Sequence, residues 1–515
     1  MNAVRQAVIH AAGPFGVHDA ITHYERGELA QADAICRQAL RERPHNIEAL
    51  NILGTIKARS GRTAEAVELF ERAVAVQPAD ARSHNNLGNA LAEVGRLEEA
   101  LPSYERALSI APNFIDARHN RGRALLSLGR FAEALVSFDL LLERNPTSIA
   151  ALIDRGHALC SLGRPTTALQ SFDQAITLNP GNPTALVNKA HACLLMGDYE
   201  AGWPFHEARY YAHRRKVSAP PSCFSQRHWL GVESLEGKTI FLYAEQGLGD
   251  TLQFCRYAPM VAARGAKVIL EVQHPCLVPI LGSLDGVGQL ITRQDPMPER
   301  FDYHASLMSL PLAFNTTLTT IPSRPYLKAD PVKVGAWRER LGPSDKLRVG
   351  LVWAGAHRPF QPETLPVNSR RNIPLTWLAP LKHSRVEFYS LQVGEAAENE
   401  LASLQDSDWD GPEITSYVGE FRDWSDTAAL VENLDLVISV DTSTAHLTGA
   451  LGKPFWLLNR FDTCWRWMLE RTDSPWYPSA TIYRQDKPGD WGSVVQRVAA
   501  DLRRAALQLS RFQTG

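Results

Sequence analysis

The run Val437-Ile-Ser-Val-Asp-Thr-Ser-Thr-Ala-His-Leu-Thr-Gly-Ala-Leu-Gly-Lys-Pro-Phe-Trp-Leu457 changes character twice in a short span. Residues Leu436–Val440 are aliphatic save for one serine, the composition of a parallel strand buried on both faces. Asp441, Thr442, Ser443 and Thr444 then break the run with capping residues, and residues 445–451 read as a helix. The result is a strand, a polar turn and a helix. Free N–H groups in the helix's first turn, together with its dipole, favour an anion, so three hydroxyls and His446 gathered there suit a phosphate cradle. An N-capped α/β helix with no ligand uses the same residue types and is the plain alternative.

A second strand, loop and helix of this kind lies about 190 residues upstream. The strand Thr239–Tyr243 runs into Ala244-Glu-Gln-Gly-Leu-Gly-Asp-Thr251, a helix is expected through Arg264, and the next strand is Lys267–Val272. Glycines at the carboxyl end of a strand let a ligand approach the backbone, and Asp250 falls at or near the helix cap, facing a cleft. The loop lacks the third glycine of a dinucleotide fingerprint and the Gly-Lys-Ser/Thr of a P-loop. Asp250 is therefore either a plain cap or a base, and His304, at another strand end, is either structural or a cleft residue. The pattern restarts at residues 347–354, followed by a loop carrying Arg370 and Arg371 before a helix at Pro374. A further strand, residues 386–391, ends at Gln392. Two guanidiniums at a strand's carboxyl end can offset a diphosphate. Residues 491–507 are amphipathic and can pack back across the chain.

The chain before residue 216 has a different rhythm. Gly27, Gly61, Gly95, Gly129, Gly163 and Gly197 stand 34 residues apart, and Pro44, Pro78, Pro112, Pro146 and Pro180 keep the same register. Ala32, Ala66, Ala100, Ala134 and Ala168 are each followed four residues later by Cys36, Phe70, Tyr104, Phe138 or Phe172. Small residues let paired helices approach, larger side chains fill the gap, glycine makes the turn and proline ends the pair. The columns resemble tetratricopeptide repeats, about six over residues 13–215, the last atypical with Ala190, Gly202 and Trp203 as a capping repeat would be. Asn86, Asn120, Asp154 and Asn188 recur at one register, where asparagine is a poor helix former. Side-chain amides can hold an extended peptide by its backbone, and the column resembles the asparagine ladder of O-linked N-acetylglucosamine transferases; Ile52 breaks it. Inter-repeat hydrogen bonding is the other reading of these positions.

Length and composition set the outer limits. The 515 residues suggest about three domains. Lys and Arg total 54 against 56 Asp and Glu, a net charge of -2, which points away from nucleic acid or an anionic membrane as the main partner. The seven cysteines are scattered and unpaired in sequence, against a disulfide framework or zinc site. No stretch approaches a membrane span or a signal core, so a cytoplasmic location is expected.

Residues 245–253 and 440–447 are similar to the paired signatures of heptosyltransferase-like GT-B glycosyltransferases, over about 238–509. The resemblance implies an all-α tetratricopeptide superhelix followed by an α/β GT-B fold, two Rossmann-like domains facing a cleft: residues 13–215, a linker at 216–237, an acceptor-side domain at 238–330 and a nucleotide-sugar domain at 345–509. It further implies Asp250 as general base and a donor site of Arg370, Arg371, Gln392, Asp441, Thr442, Ser443, Thr444 and His446. Glu245, Gln246, Gly247, Gly249 and His304 then lie on the acceptor side of the cleft. Ser443 stands where the family carries glycine, and the loop 356–369 is long. The function implied is transfer of a sugar from a nucleotide donor, with no metal or other cofactor, to a hydroxyl of a protein held by the repeats. Bacterial flagellin glycosylation pairs similar modules, so flagellin is the specific acceptor expected. The rivals are a binding scaffold with a degenerate transferase half, and a transferase with a saccharide or lipid-linked acceptor.

Overall fold

Six glycines at one register become six left-handed turns, with φ between 70° and 83° at Gly27, Gly61, Gly95, Gly129, Gly163 and Gly197. An L side chain is strained there, and the turn lets the second helix of each pair fold back on the first. The structure, a computed structural model, describes residues 16–212, 224–355, 365–405 and 409–513. Residues 13–15 and 213–215 of the repeat assignment, 216–223 of the linker and 356–364 of the long loop lie outside that set. Packing divides the chain into two compact units, Met1–Ala158 and Leu159–Gly515.

The first unit is all helix. Its pairs are Val17–Glu25 with Leu29–Glu42, Ile47–Arg59 with Thr63–Val76, Ala81–Glu93 with Leu97–Ile110, and Ile115–Ser127 with Phe131–Arg144. Ala32, Ala66, Ala100 and Ala134 are wholly buried. A Cβ on Gly54, Gly88 or Gly122 would come 2.7, 2.6 or 2.6 Å from the ring of Phe70, Tyr104 or Phe138, so each pair closes ring against backbone. Successive repeats are also braced by polar pairs 35 residues apart. Asn86 Nδ2 donates to Asn51 Oδ1 and Asn120 Nδ2 to Asn85 Oδ1, each at 3.1 Å, and His119 Nε2 lies 2.8 Å from Asp154 Oδ2.

The second unit begins with helices Pro165–Leu178, Pro183–Met196 and Tyr199–His206 and continues into two all-parallel sheets. Leu194, Leu195, Tyr199 and Trp203 share one hydrophobic core with residues of both sheets. The packing boundary therefore precedes residue 159, upstream of the composition break at 216–237, because the last repeat buries its aromatic face in the α/β layers rather than against another repeat.

The first sheet contains β1 (Arg227–His228), β2 (Thr239–Tyr243), β3 (Lys267–Val272), β4 (Val287–Thr292) and β5 (Tyr303–Ser306), in the order β1-β5-β2-β3-β4. The second contains β6 (Leu347–Val352), β7 (Val386–Ser390), β8 (Ile414–Ser416), β9 (Leu436–Val440), β10 (Phe455–Asn459) and β11 (Ala480–Arg484), in the order β11-β10-β9-β6-β7-β8. Numbered within its own sheet, the second runs 6-5-4-1-2-3, the doubly wound order. All five residues of β9 are buried, as a strand covered on both faces requires. The closing helix Trp491–Gln513 covers one face of this sheet through Trp491, Val494, Val495, Val498 and Leu502.

Several local assignments change: the stretch expected as a linker, 216–237, supplies β1, which pairs parallel with β5, and the helix expected at Pro374 is a 3-10 helix, Leu375–Leu381. The helix expected to run through Arg264 ends at Phe254, gives a 3-10 turn at Cys255–Tyr257 and resumes at Ala258–Ala262, with Pro259 in the first turn of the new helix, where a missing N–H costs least. Arg370 and Arg371 sit in the last turn of helix Leu365–Arg371 rather than in a loop.

Candidate functional site

In a doubly wound sheet the crevice opens at the carboxyl edge, where the strand order reverses. Here that point lies between β6 and β9, so residues 353–355 and 441–443 flank it. Beyond Val440 the chain leaves the sheet at Asp441, Thr442 stands at the N-cap, and helix Ser443–Ala450 begins. Thr442 makes no side-chain cap; its hydroxyl lies 3.1 Å from Ser439 Oγ. Asp441, Thr442 and Ser443 are half-buried, while Thr444 and His446 are buried. The dipole end of the helix is thus bordered by hydroxyls, as an anion would need.

Arginines converge on this point. Arg371 donates from Nη1 to the Asp441 carbonyl at 2.8 Å and from Nη2 to Asn368 Oδ1. It lies over Gly355, where a Cβ would come 1.9 Å from Nη2. Arg370 reaches Asp462 at 3.0 Å, and Arg460 reaches the same carboxylate at 2.5 Å, so one negative charge is shared between two positive ones. Burial draws the Arg370 guanidinium below its ordinary value, Asp462 opposes that, and Arg460 adds to it. Burial likewise lowers Arg484, at the end of β11, to about 10. Burial works against the charge of Asp441, and neighbouring His446 and Arg371 for it, leaving its carboxyl below the usual range. His446 itself is pushed down to about 3, by burial first and then by Arg466 and Arg256 against the pull of Asp441. At neutral pH its ring is uncharged and its 4.0 Å approach to Asp441 is not an ion pair, so His446 adds to the attraction only in acid, where the ring is protonated, and Arg371 and Arg460 carry it at neutral pH. The ring is fixed by a 2.9 Å hydrogen bond between Nδ1 and the Tyr477 hydroxyl and by stacking on Trp467.

The loop after β2 meets this site directly. Gly247 caps helix Leu248–Phe254, and its N–H donates to Asp250 Oδ2 at 2.8 Å. A Cβ on Gly249 would come 2.9 Å from His446 Cδ2 and 3.5 Å from Ser443 Oγ, so the two helix starts touch where residue 249 has no side chain. Asp250 Oδ1 is paired with Arg466 Nη2 at 2.5 Å, and Arg466 Nε donates to Gln253 Oε1 at 2.6 Å. Burial opposes the Arg466 charge, but Asp250 and Cys464 hold the guanidinium above its ordinary value. The Asp250 carboxylate keeps 19 % exposure and has lone pairs beyond the two in use, so it can still accept a proton from a hydroxyl in the crevice.

The structure brings together Asp250, Gly247, Gly249, Arg370, Arg371, Asp441, Thr442, Ser443, Thr444 and His446 around that crevice. Three expected residues fall elsewhere. Glu245 is buried in an ion pair with Arg209 at 2.6 Å and does not face a cleft, because the strand end turns its side chain toward the helices before it. His304 is wholly buried, with its ring 5.1 Å from that of His228 and 4.4 Å from that of Phe224, and burial brings it to about 4. Gln392 is buried and spends its side-chain oxygen on the N–H groups of Trp353 and Ala354 at 3.1 and 2.9 Å, so it fixes the loop after β6 rather than offering that oxygen to a ligand. Gln246 is exposed. In the first unit Asn86, Asn120 and Asp154 are engaged in the inter-repeat pairs; in the second, Asn188 Nδ2 bonds the Thr184 carbonyl at 2.8 Å.

Arg460, Asp462 and Arg466 were not singled out from the sequence. The first two directly follow β10, so the rule that ligand-side residues sit at the carboxyl ends of strands does reach them. Arg466 gave no such signal. Among the described residues no three His, Cys, Asp or Glu side chains gather as a metal site, and no helix is long and apolar enough to cross a membrane.

Comparison with known proteins identifies tetratricopeptide repeats at residues 53–113 and 153–202 by one family model and at 91–154 by another. Such repeats are protein-binding scaffolds. The protein named FlbA of Caulobacter vibrioides is 29% identical over 336 residues, 60% of this chain and 53% of that protein. The chain thus spans about half the length of that curated relative. Among solved structures, YrrB, described as a tetratricopeptide protein with an unusual peptide-binding site, is 26% identical and aligns with 33% of this chain and 88% of its own, at a TM-score of 0.31. PilW, described as a type IV pilus biogenesis factor, is 21% identical over 38% of this chain and 91% of its own, at a TM-score of 0.36.

Proposed function

We propose that the chain is a GT-B glycosyltransferase that moves a sugar from a nucleotide donor to a hydroxyl of a protein captured by its repeats. The observation that carries this reading is the meeting of Asp250, from the first sheet's loop, with a hydroxyl-bordered helix start and a group of guanidiniums at the carboxyl edge of the second sheet. A nucleoside diphosphate presents two negative groups, and Arg370, Arg371 and Arg460 bring three guanidiniums to the side of the crevice that would receive them.

In the proposed reaction the acceptor hydroxyl gives its proton to Asp250 while its oxygen bonds to the anomeric carbon. The bond from that carbon to the diphosphate oxygen breaks, and the nucleoside diphosphate leaves with the electron pair, its charge met by the arginines and the helix dipole. The protein acceptor follows from the repeats, since a free sugar needs no peptide-binding scaffold. Flagellin is the acceptor class favoured by the similarity of this pairing of modules to bacterial flagellin glycosylation.

A second reading, a binding scaffold with a silent transferase half, is favoured by one observation: both Asp250 oxygens already have partners. Incubating the chain with a panel of nucleotide sugars and purified flagellin, followed by intact-mass spectrometry, decides between them. The proposal expects a sugar-sized mass increase on the acceptor with one donor; no mass change and no donor consumption across the panel would leave the scaffold.

A further inference from the structure

Arg209 follows the last repeat helix and is only 3 % exposed, yet its guanidinium faces two carboxylates. It donates to both oxygens of Glu245 at 3.0 and 2.6 Å, to Glu207 at 2.5 Å and to Ser309 Oγ at 2.7 Å. Burial opposes its charge, but Glu207 and Glu245 hold it well above the ordinary value. Glu245 in turn is kept below the usual carboxylate range by Arg209 against its own burial.

Glu245 stands two residues before Gly247, the cap whose N–H holds Asp250. From the sheet side the backbone here is gripped by Arg293 on the Ala244 carbonyl at 2.7 Å and by Gln273 on the Gln246 and Gly247 carbonyls at 3.1 and 3.2 Å. From the repeat side it is gripped through the Glu245 side chain. We propose that Arg209 is a positioning residue for the turn at 247–250, through which the last repeat sets the geometry of the transfer site. This rests on the transferase reading. With the guanidinium gone, the buried Glu245 carboxylate is left without its cation, and the easiest relief is movement of Glu245 and the turn it precedes. The last repeat is then part of the transfer machinery and not only a cap on the stack.

The test is amide hydrogen exchange on the full chain, read beside turnover. Arg209→Met should speed exchange of amides 246–251 by about tenfold or more while the sheet around β9 keeps its protection. Turnover should fall ~10–100-fold with nucleotide affinity held, as a small misplacement of a reacting group predicts. Adding Glu245→Gln removes the stranded charge and should return much of the protection, which a purely packing role for Arg209 would not do. Arg209→Lys keeps the charge with fewer contacts and gives the same pattern in smaller measure should the methionine variant not fold. Unchanged exchange at 246–251, loosening spread evenly over residues 159–515, or no relief from Glu245→Gln would each overturn the proposal. Exchange needs no turnover, so a wild-type chain that transfers nothing sinks the transferase reading while the positioning claim is still decided.

Discussion

Arg371 occupies space that any side chain at position 355 would claim, so the two positions stand or fall together. A charged hydrogen bond to a diphosphate contributes ~1.5–3 kcal/mol, and Arg371→Ala should weaken nucleotide binding by about one to two orders of magnitude. Gly355→Ala keeps the arginine but pushes it off the Asp441 carbonyl, and should give a loss of the same order. Calorimetry with the nucleoside diphosphate checks both; unchanged affinity in either variant would place the anion elsewhere. Gly249 is a similar case, since a methyl there meets His446 and would part the two helix starts.

The repeat helices and the β9 turn were legible because each is a local pattern: a 34-residue period of glycine, alanine and aromatic positions, and an aliphatic run broken by capping residues. The Asp250–Arg466, Arg370–Asp462 and Arg209–Glu245 pairs were not, because each joins residues 36 to 216 positions apart that no periodicity links. Glu245 was misplaced for a related reason. The sequence puts it at a strand's carboxyl end, but only the packed repeat shows which way its side chain turns. The asparagine column has a bearing on the repeats themselves. Asn86 and Asn120 bond Asn51 and Asn85, which are 8% and 6% exposed, so substituting either donor strands a buried amide oxygen. Leaving such a group unpaired costs ~1–3 kcal/mol. Asn86→Ala and Asn120→Ala should therefore each lower the stability of the helical unit by about that amount in far-UV circular dichroism denaturation. A melt indistinguishable from wild type would remove the brace. Loss of acceptor capture in these variants counts for the groove only where the helices remain folded.

The unit Leu159–Gly515 carries all 12 tryptophans of the chain, so their fluorescence reports on it and not on the first unit. It also buries His206, His304 and His446 and half-buries His228, all with their charged forms disfavoured, His304 at about 4 and His446 at about 3. A histidine whose folded value lies below the ordinary 6.5 binds fewer protons folded than unfolded between the two values. Its share of stability is intact above about 6.5 and drains away as pH falls toward the folded value, by up to ~1.4 kcal/mol per pH unit for each such group. Carboxylates held below their usual range, Glu245 by Arg209 and Asp441 by His446 and Arg371, begin to lose their share only nearer pH 4. Tryptophan-monitored urea unfolding should show stability falling steadily between pH 6.5 and 4.5; a flat profile there would mean that these rings are not buried neutral.

That the chain transfers a sugar with Asp250 as base is tested most directly by the turnover of Asp250→Asn beside wild type, with the donor found by mass spectrometry. Asparagine keeps the size, and its single oxygen can accept from either the Gly247 N–H or Arg466 but not replace both Asp250 contacts, and it cannot take a proton. Folding and nucleotide binding should survive while turnover falls ~10²–10⁴-fold, the usual share of a general base. Retention of more than about a tenth of wild-type turnover, well above that range, would contradict the account at its central residue.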